Sequence, residues 1–544
     1  MYQDAHPDYT MSAIDEAWLE ARQYTEDQLD LARLILEDLR AGMSLRKAVH
    51  RHPNPGGGYI PKHILVYAYR ELTEAGEWED DPGLLEQLRM KPVRTLSGVT
   101  TVTVLTKPYP CPGTCIFCPN DTRMPKSYLP DEPGAMRALH HGFDPYDQTA
   151  ARIAALEAIG HPTDKIELLI LGGTWSAYRR DYQTWFLMRC LEALNGESSE
   201  SLEQAQIKNQ SARHRNVGLV VETRPDHIHQ DEIAHMRKLG VTKIQMGIQN
   251  LDDQILEMNK RGHTVAQARE AMRWMRAAGF KIVLHWMPNL LGATLESDRE
   301  DFGRLWDDVD MRPDELKIYP CQLLENAELY GYWQRGEYKP YTTEELIDLI
   351  AGIKPSIPEY CRVNRIVRDI PSTNVVEGNK RTSLRQDIQR ELARRGEHCR
   401  CVRCREVRKQ RFNPETIELQ DLTYATGGSD EHFLSFVTPD DRIAGFLRLS
   451  LPNEDSPTTG LPELTGAAIV REVHVYGQSL ELGVDSEDAA QHSGLGKTLM
   501  DQAEALARES GFEKLAVIAA LGTRGYYQKL GYALEGTYMV KGLW

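Results

Sequence analysis

The sequence lacks any run near the twenty uninterrupted apolar residues that a membrane-spanning helix needs, so no membrane role is expected. A basic-then-apolar leader is missing too: Asp4, Asp8, Asp15, Glu16 and Glu20 stand where it would be, and a cytoplasmic protein is expected. Internal repeats and low-complexity tracts are absent, which excludes collagen-like and fibrous architectures. Positive charge is not in excess: 64 Lys and Arg against 80 Asp and Glu leave −16, too acidic for a uniformly basic nucleic-acid coat. Cysteine is scarce, nine in 544 residues, and its clustering in a reducing compartment points to metal before disulfide. What remains is ordinary globular composition, 41% apolar and 26% charged, in a chain long enough for two to four domains.

Apolar residues three and four apart predict helices over Thr25 to Ala41 and His63 to Ala75, joined by a loop around Pro53 and Pro55. Short β-like runs then alternate with helical stretches: Gly98 to Thr106, Lys165 to Leu171, Val217 to Glu222, Lys243 to Gln249, Lys281 to Met287 and Glu315 to Tyr319. That alternation implies right-handed crossovers, a parallel sheet and a partial or full β/α barrel, with chemistry at the strand C-terminal ends. Arg362 to Arg411 is basic and poor in strand signals, and reads as a connector. Beyond Asn413 strands, a helix over Leu495 to Glu509 and further short elements predict an α+β domain. The class is therefore α/β, with an N-terminal helical module over 1–94, a barrel over 95–370, a connector over 371–411 and an α+β domain over 412–544.

After the first barrel strand comes Cys111-Pro-Gly-Thr-Cys115-Ile-Phe-Cys118. Three thiolates so close on a loop suit three irons of a cubane cluster, leaving the fourth iron open to a small chelating molecule. A zinc knuckle is the bland alternative, but no fourth Cys or His follows at short spacing. This pattern resembles the radical S-adenosylmethionine superfamily. The resemblance implies a [4Fe–4S] cluster, S-adenosylmethionine (SAM) cleaved to a 5′-deoxyadenosyl radical, an external electron donor, and a SAM contact at Leu171-Gly172-Gly173-Thr174. Glu222, Arg224, Gln249, His285, Lys317 and Tyr319, near later strand ends, are further candidates for cofactor or substrate, with packing or salt bridging as the alternative for each.

Gln491-His492-Ser493-Gly494-Leu495-Gly496 opens a helix, and glycines there expose backbone N–H groups to a pyrophosphate. With Tyr526 and Tyr527 some thirty residues on, it resembles the GNAT acetyltransferase fold, which implies acetyl-CoA as ligand. Both modules together resemble the Elongator catalytic-subunit family in its compact bacterial and archaeal form. The shared motifs include Lys126 to Arg137, Lys317 to Pro320, Arg368 to Pro371 and Arg471-Glu472-Val473-His474-Val475-Tyr476. Two departures stand: eukaryotic members space the first cluster cysteines more widely, and relatives carry Leu where this chain has Val473. The resemblance implies carboxymethylation of carbon 5 of the tRNA wobble uridine, which needs a radical because an acetyl methyl group is very weakly acidic. It associates Lys165 with acetyl-CoA, a structural lysine being the alternative. Residues 472–476 are carried over as acetyl-CoA contacts, and Asn259, Lys260 and Arg261 as substrate-positioning residues.

Cys399, Cys401 and Cys404 give three thiolates in six residues, suited to tetrahedral zinc, with free thiols as the alternative. Cys321 is favoured as fourth ligand over Cys361 and His398. Fifteen basic against six acidic residues over Arg362 to Arg411 include Arg385, Arg408 and Lys409. With Arg46, Lys47, Arg51 and Lys62 they are candidate phosphate contacts to a tRNA anticodon stem-loop. A homodimer is compatible with the sequence, which carries no signal for or against one. Two other hypotheses stand beside the tRNA-modifying radical enzyme: a protein lysine acetyltransferase with a structural iron–sulfur cluster and Glu472 or His474 as base, and a non-catalytic tRNA-binding scaffold.

Overall fold

The computed structural model describes residues 24–55, 57–95, 98–408, 412–476 and 490–544. Two compact units divide the chain, one of Met1–Thr95 with Ala151–Thr163, the other of Leu96–Ala150 with Asp164–Trp544.

In the first unit, helices Glu26–Arg40, Leu45–Arg51, Lys62–Glu74 and Pro82–Leu88 bury Ile35, Leu36, Leu65, Tyr69 and Leu88 in one core. Thr25 starts the first helix with a capping box to Gln28, and the Asp81 carboxylate caps the fourth by accepting from Leu84 N–H.

The second unit holds two seven-stranded sheets. The first runs β1 (Thr100–Leu105), β2 (Lys165–Leu171), β3 (Arg215–Thr223), β4 (Lys243–Gln249), β5 (Lys281–Trp286), β6 (Glu315–Ile318) and β7 (Arg362–Ile366), in sequential order and parallel throughout. It is the partial β/α barrel that the alternating pattern predicts. The seventh strand lies inside the stretch read as connector; arginines at 362 and 365 hid it, since Arg362 is half-buried against Glu406 while Arg365, on the same strand, stays exposed beside Asp369. The second sheet, in the order β13-β14-β12-β11-β10-β9-β8, comprises β8 (Glu418–Thr426), β9 (Ser429–Val437), β10 (Ile443–Pro452), β11 (Ala467–Val475), β12 (Lys514–Val517), β13 (Ala533–Glu535) and β14 (Tyr538–Gly542). All its pairings are antiparallel except β11 with β12. Among the described residues, no helix is long and apolar enough to cross a membrane.

The second sheet docks on the N-terminal ends of the barrel strands. Arg471 of β11 donates to Phe280 O just before β5 and to both carboxylate oxygens of Asp314 just before β6, at 2.9, 2.8 and 2.5 Å. Arg448 of β10 reaches Tyr360 O at 2.7 Å, just before β7. Tyr538 donates to Ala278 O at 2.6 Å, and Tyr360 stacks on Tyr424 with centroids 3.8 Å apart. Gly522 lies so close to the start of β3 that an added Cβ would stand 2.5 Å from Arg215 Cβ. The cysteine loop follows the C-terminal end of β1, at the other end of the barrel.

Candidate active site

Barrel interiors are ordinarily filled by branched apolar side chains. Here every residue of β4 is buried, yet it carries Lys243, Gln245 and Gln249. At the end facing the second sheet, Lys243 pairs with Glu167 and Glu315 at 3.1 and 2.8 Å, and Lys281 bridges Glu315 to Glu472 of β11. Two residues further along β4, Gln245 accepts from Lys317 and contacts His285 Nε2 at 3.1 Å. Nearer the cysteine loop, His285 Nδ1 lies 3.7 Å from Glu222, whose other oxygen accepts from Tyr128 at 3.0 Å. Tyr319 sets its ring edge-on to His285 at 5.4 Å. Burial first, then the positive charges of Lys317, Arg368 and Arg261, push the His285 pKa well down, so the ring is neutral at pH 7. Four steps along β5 from Lys281 to His285, at ~3.3 Å each, put the two ends of this polar interior roughly 13 Å apart.

At the cysteine end two buried arginines face the thiols. Arg261 Nη1 lies 3.5 Å from Cys115 Sγ, and Arg224 is held by Asp226 at 2.9 and 3.0 Å and by Arg261 O at 2.8 Å. An added Cβ on Gly113 would stand 2.2 Å from Arg224 Nη1, so only glycine lets the loop approach. The Cys118 hydrogen bond, then Arg261 and Arg224 against the penalty of burial, hold the Cys115 thiol well below its ordinary range. Arg224 Nη1 and Arg261 Nε are buried with no protein partner, as a site for a negatively charged group requires. Cys111 stands by Thr174 Oγ1 at 3.6 Å, and the Cys115 and Cys118 thiols are within hydrogen-bond reach of each other. Three loop thiols beside two buried cations suit a cubane with one iron left open. Gly172 and Gly173 have φ of 146° and 90°, and a Cβ at Gly172 would stand 1.7 Å from Thr106 Oγ1. Gln249, at the end of β4, takes φ 69° with its Oε1 buried and unpartnered.

At the other end, Val475, Gly496 and Tyr526 meet: a Cβ on Gly496 would lie 3.0 Å from Tyr526 Oη and 3.8 Å from Val475 Cγ2. Tyr526 Oη and His474 Nε2 are each buried without a protein hydrogen-bond partner. Burial lowers His474 to about 4. Glu472 is tied to Lys281 and to Arg448 at 2.9 Å, and Tyr476 accepts from Arg362 at 3.0 Å. Lys165 pairs in register with Arg215 at the barrel end that Gly522 covers, and burial lowers its pKa. Tyr527 is buried, and Val473 half-buried on β11. Gln491, His492 and Ser493 lie on the helix Ala490–Glu509 with Gly494 and Leu495.

Several expectations are corrected. Asn259 does not reach toward a substrate: its amide donates to Ile255 O and Leu291 O and accepts from Leu291 N, while its carbonyl accepts from Ile116 N in the cysteine loop. It is a positioning residue. Lys260 is on the surface, paired with Glu328 at 2.5 Å. Cys321 is not with the second cysteine trio but packs in an apolar cluster with Cys115, Phe117 and Tyr338. The ligand atoms of Cys399, Cys401 and Cys404 lie within 4.8 Å of one another, and no fourth described Cys, His, Asp or Glu joins them; Cys361 offers its backbone oxygen to Val402. Hydrogen bonds from Cys399 and Cys404 hold Cys401 well below an ordinary thiol, and the buried Lys354 ammonium, without a hydrogen-bond partner, adds to the effect. The basic connector is less free than its composition implies. Arg390 and Arg394 are paired with Asp387 and Glu391, Arg408 with Glu406, and Arg385 donates inward to Val363 O. In the first unit Arg51 pairs with Asp38 and Lys62 donates to Gln87 O, while Arg46 and Lys47 are exposed. Lys409 lies outside the described residues.

Gln245, Lys243, Lys281 and Lys354 escaped sequence reasoning. The alternating Lys-Ile-Gln-Met-Gly-Ile-Gln of β4 was a signal, but a half-solvated strand reads the same way.

Comparison with known proteins gives three family matches: the radical SAM superfamily over 109–304, a radical SAM C-terminal domain over 313–394, and the acetyltransferase (GNAT) family over 402–532. A tRNA uridine(34) acetyltransferase of Methanocaldococcus infernus is 42% identical over 488 residues, 87% of this chain and 91% of that protein. Elongator complex protein 3 of Danio rerio is 38% identical over 85% of this chain and 87% of its own length. A solved structure of archaeal Methanocaldococcus infernus Elp3 with an N-terminal deletion superposes with a TM-score of 0.71 at 39% identity, covering 82% of this chain and 99% of that one.

Proposed function

The chain belongs to the family of tRNA uridine(34) acetyltransferases and Elongator complex protein 3, and on that premise we propose that it carboxymethylates carbon 5 of the tRNA wobble uridine. It is a radical SAM acyltransferase that uses acetyl-CoA. What carries the finer reading is the polar barrel interior, bounded at one end by the cysteine loop and at the other by β11.

A [4Fe–4S] cluster with SAM supplies a 5′-deoxyadenosyl radical, able to take a hydrogen from an acetyl methyl group that ordinary acid–base chemistry leaves inert. Cys111, Cys115 and Cys118 are its ligands in this reading, with Arg224 and Arg261 balancing the thiolate charge. The open backbone at Gly172 and Gly173, with Thr174, Glu222 and Gln249, faces SAM. At the opposite end the Gln491 to Gly496 segment takes the CoA pyrophosphate and Tyr526 the thioester, with Lys165 at the barrel rim. An extended pantetheine arm is long enough for its acetyl end to enter the barrel. There neutral His285, Lys317 and Tyr319 orient the acetyl group and the uracil; His285 Nε2–H donates to Gln245 Oε1, which leaves Nδ1 to accept a proton. Cys399, Cys401 and Cys404 hold Zn²⁺ with a fourth ligand from outside the trio. An electron donor reduces the cluster, the tRNA anticodon stem-loop is the macromolecular partner, and the enzyme works in the cytoplasm.

A protein lysine acetyltransferase would need Glu472 or His474 as a free base beside an open peptide groove. Instead Glu472 is bound by two cations at the barrel interface. The test is mass analysis of wobble nucleosides in tRNA incubated with protein, both cofactors and a reductant. A carboxymethylated uridine that is lost in Cys115→Ala is expected; product formation undiminished in that variant refutes the radical route.

A further inference from the structure

Beside the cysteine loop four aromatic rings form a ladder. Tyr109 and Tyr178 have centroids 4.7 Å apart, Tyr178 and Tyr182 stack at 5.2 Å, and Tyr182 and Trp185 follow at 5.7 Å. The inner two rings are buried, while Tyr109 is 37% and Trp185 38% exposed. The ladder is rigid for a definite reason. Tyr178 Oη accepts from Thr106 Oγ1 at 2.7 Å and donates to Lys107 O at 2.8 Å, and Lys107 N–H donates to Tyr182 Oη at 3.2 Å. The cysteine loop's first residues are thus hung on the inner rings. Lys107 Nζ stands 5.0 Å over the Tyr182 ring, and Arg180 is exposed where the helix Arg180–Asn195 begins. Tyr109 is two residues from Cys111, so the ladder is continuous with the loop at the mouth of the barrel.

Tyr109 and Trp185 present ring surface to solvent at the two ends of one continuous aromatic stack, and the catalytic scheme uses neither. Rigid rings with the exposed Lys107 ammonium beside them match unpaired nucleobases, whose π faces stack on aromatics while a phosphate meets the cation. An apolar peptide segment would gain nothing from Lys107. We propose that this ladder is a stacking platform for unpaired anticodon-loop bases next to the target uridine, holding the loop open while the uracil enters the barrel. The inference rests on the tRNA reading above and adds the surface that grips the loop.

The test uses the full chain and two labelled RNAs, an anticodon stem-loop and the same stem annealed as a blunt duplex. Tyr109→Ala and Trp185→Ala each weaken stem-loop binding roughly tenfold, leave duplex binding unchanged and preserve the cluster's visible absorbance after reconstitution. Tyr109→Phe and Trp185→Phe, which keep the ring, restore binding. The proposal is overturned if the alanine variants bind the stem-loop like the parent, or lose duplex and stem-loop binding equally. A parent protein that binds neither RNA refutes the tRNA reading itself, a distinguishable result.

Discussion

Replacing Asp314 by asparagine tests how the two sheets are held together. Asp314 is fully buried and faces Arg471 at 2.5 Å, Arg276 at 3.5 Å and Arg448 at 3.6 Å, with Ile282 N–H donating to it at 2.8 Å. Glu431 and Glu472 supply the other negative charges around these arginines, with Lys281, Glu315, Lys243 and Glu167 continuing the network into the barrel. Five cationic and five anionic groups thus balance out of water. Asp314→Asn keeps the shape and removes one negative charge, leaving a guanidinium buried without compensation, which costs about 3–5 kcal/mol. The exposed pair of Arg365 and Asp369 is the internal control: Asp369→Asn should cost less than about 1 kcal/mol. Urea unfolding followed by the fluorescence of buried Trp286 measures both. Because burial opposes but the three arginines outweigh it, the folded-state pKa of Asp314 lies well below its ordinary value. Its stabilising contribution is therefore fully present above about pH 4 and is lost as pH falls further through the folded value, so the variant should show a shallower acid limb. The reasoning is refuted if Asp314→Asn costs no more than the surface control, or if Arg471→Met added to it fails to recover stability.

Two further outcomes follow from the site. His474 is lowered to about 4 against an ordinary 6.5, so the unfolded chain takes up a proton first and folding stability falls as pH drops from about 6.5 to about 4, by at most about 3 kcal/mol. His474→Gln should flatten stability in that window, and an unchanged pH profile would mean that the imidazole is not buried neutral. Cys401→Ser should abolish zinc retention through dialysis, measured by metal analysis, while leaving the iron content after reconstitution intact; equal loss of both metals would contradict two separate sites.

The alternation of β-like and helical runs determined the parallel order of the first sheet, since each crossover of helical length allows only one hand. The spacing of Cys111, Cys115 and Cys118 and the paired glycine motifs likewise carried the chemistry, because local loops must present their ligands at fixed intervals whatever surrounds them. Tertiary structure alone decided what depends on distant partners. Arg362 fits a strand because Glu406 meets its charge inside the fold, and Cys321 left the zinc trio because chain proximity to the last strand did not set where its thiol packs. Asn259 became a pin for the cysteine loop through hydrogen bonds to residues more than thirty and a hundred positions away. Above all, the polar interior of the barrel could not be read from β4, β5 or β6 singly. A lysine or glutamine on a strand says nothing about whether water or an opposing carboxylate solvates it, and only closing the sheet supplies the second partner.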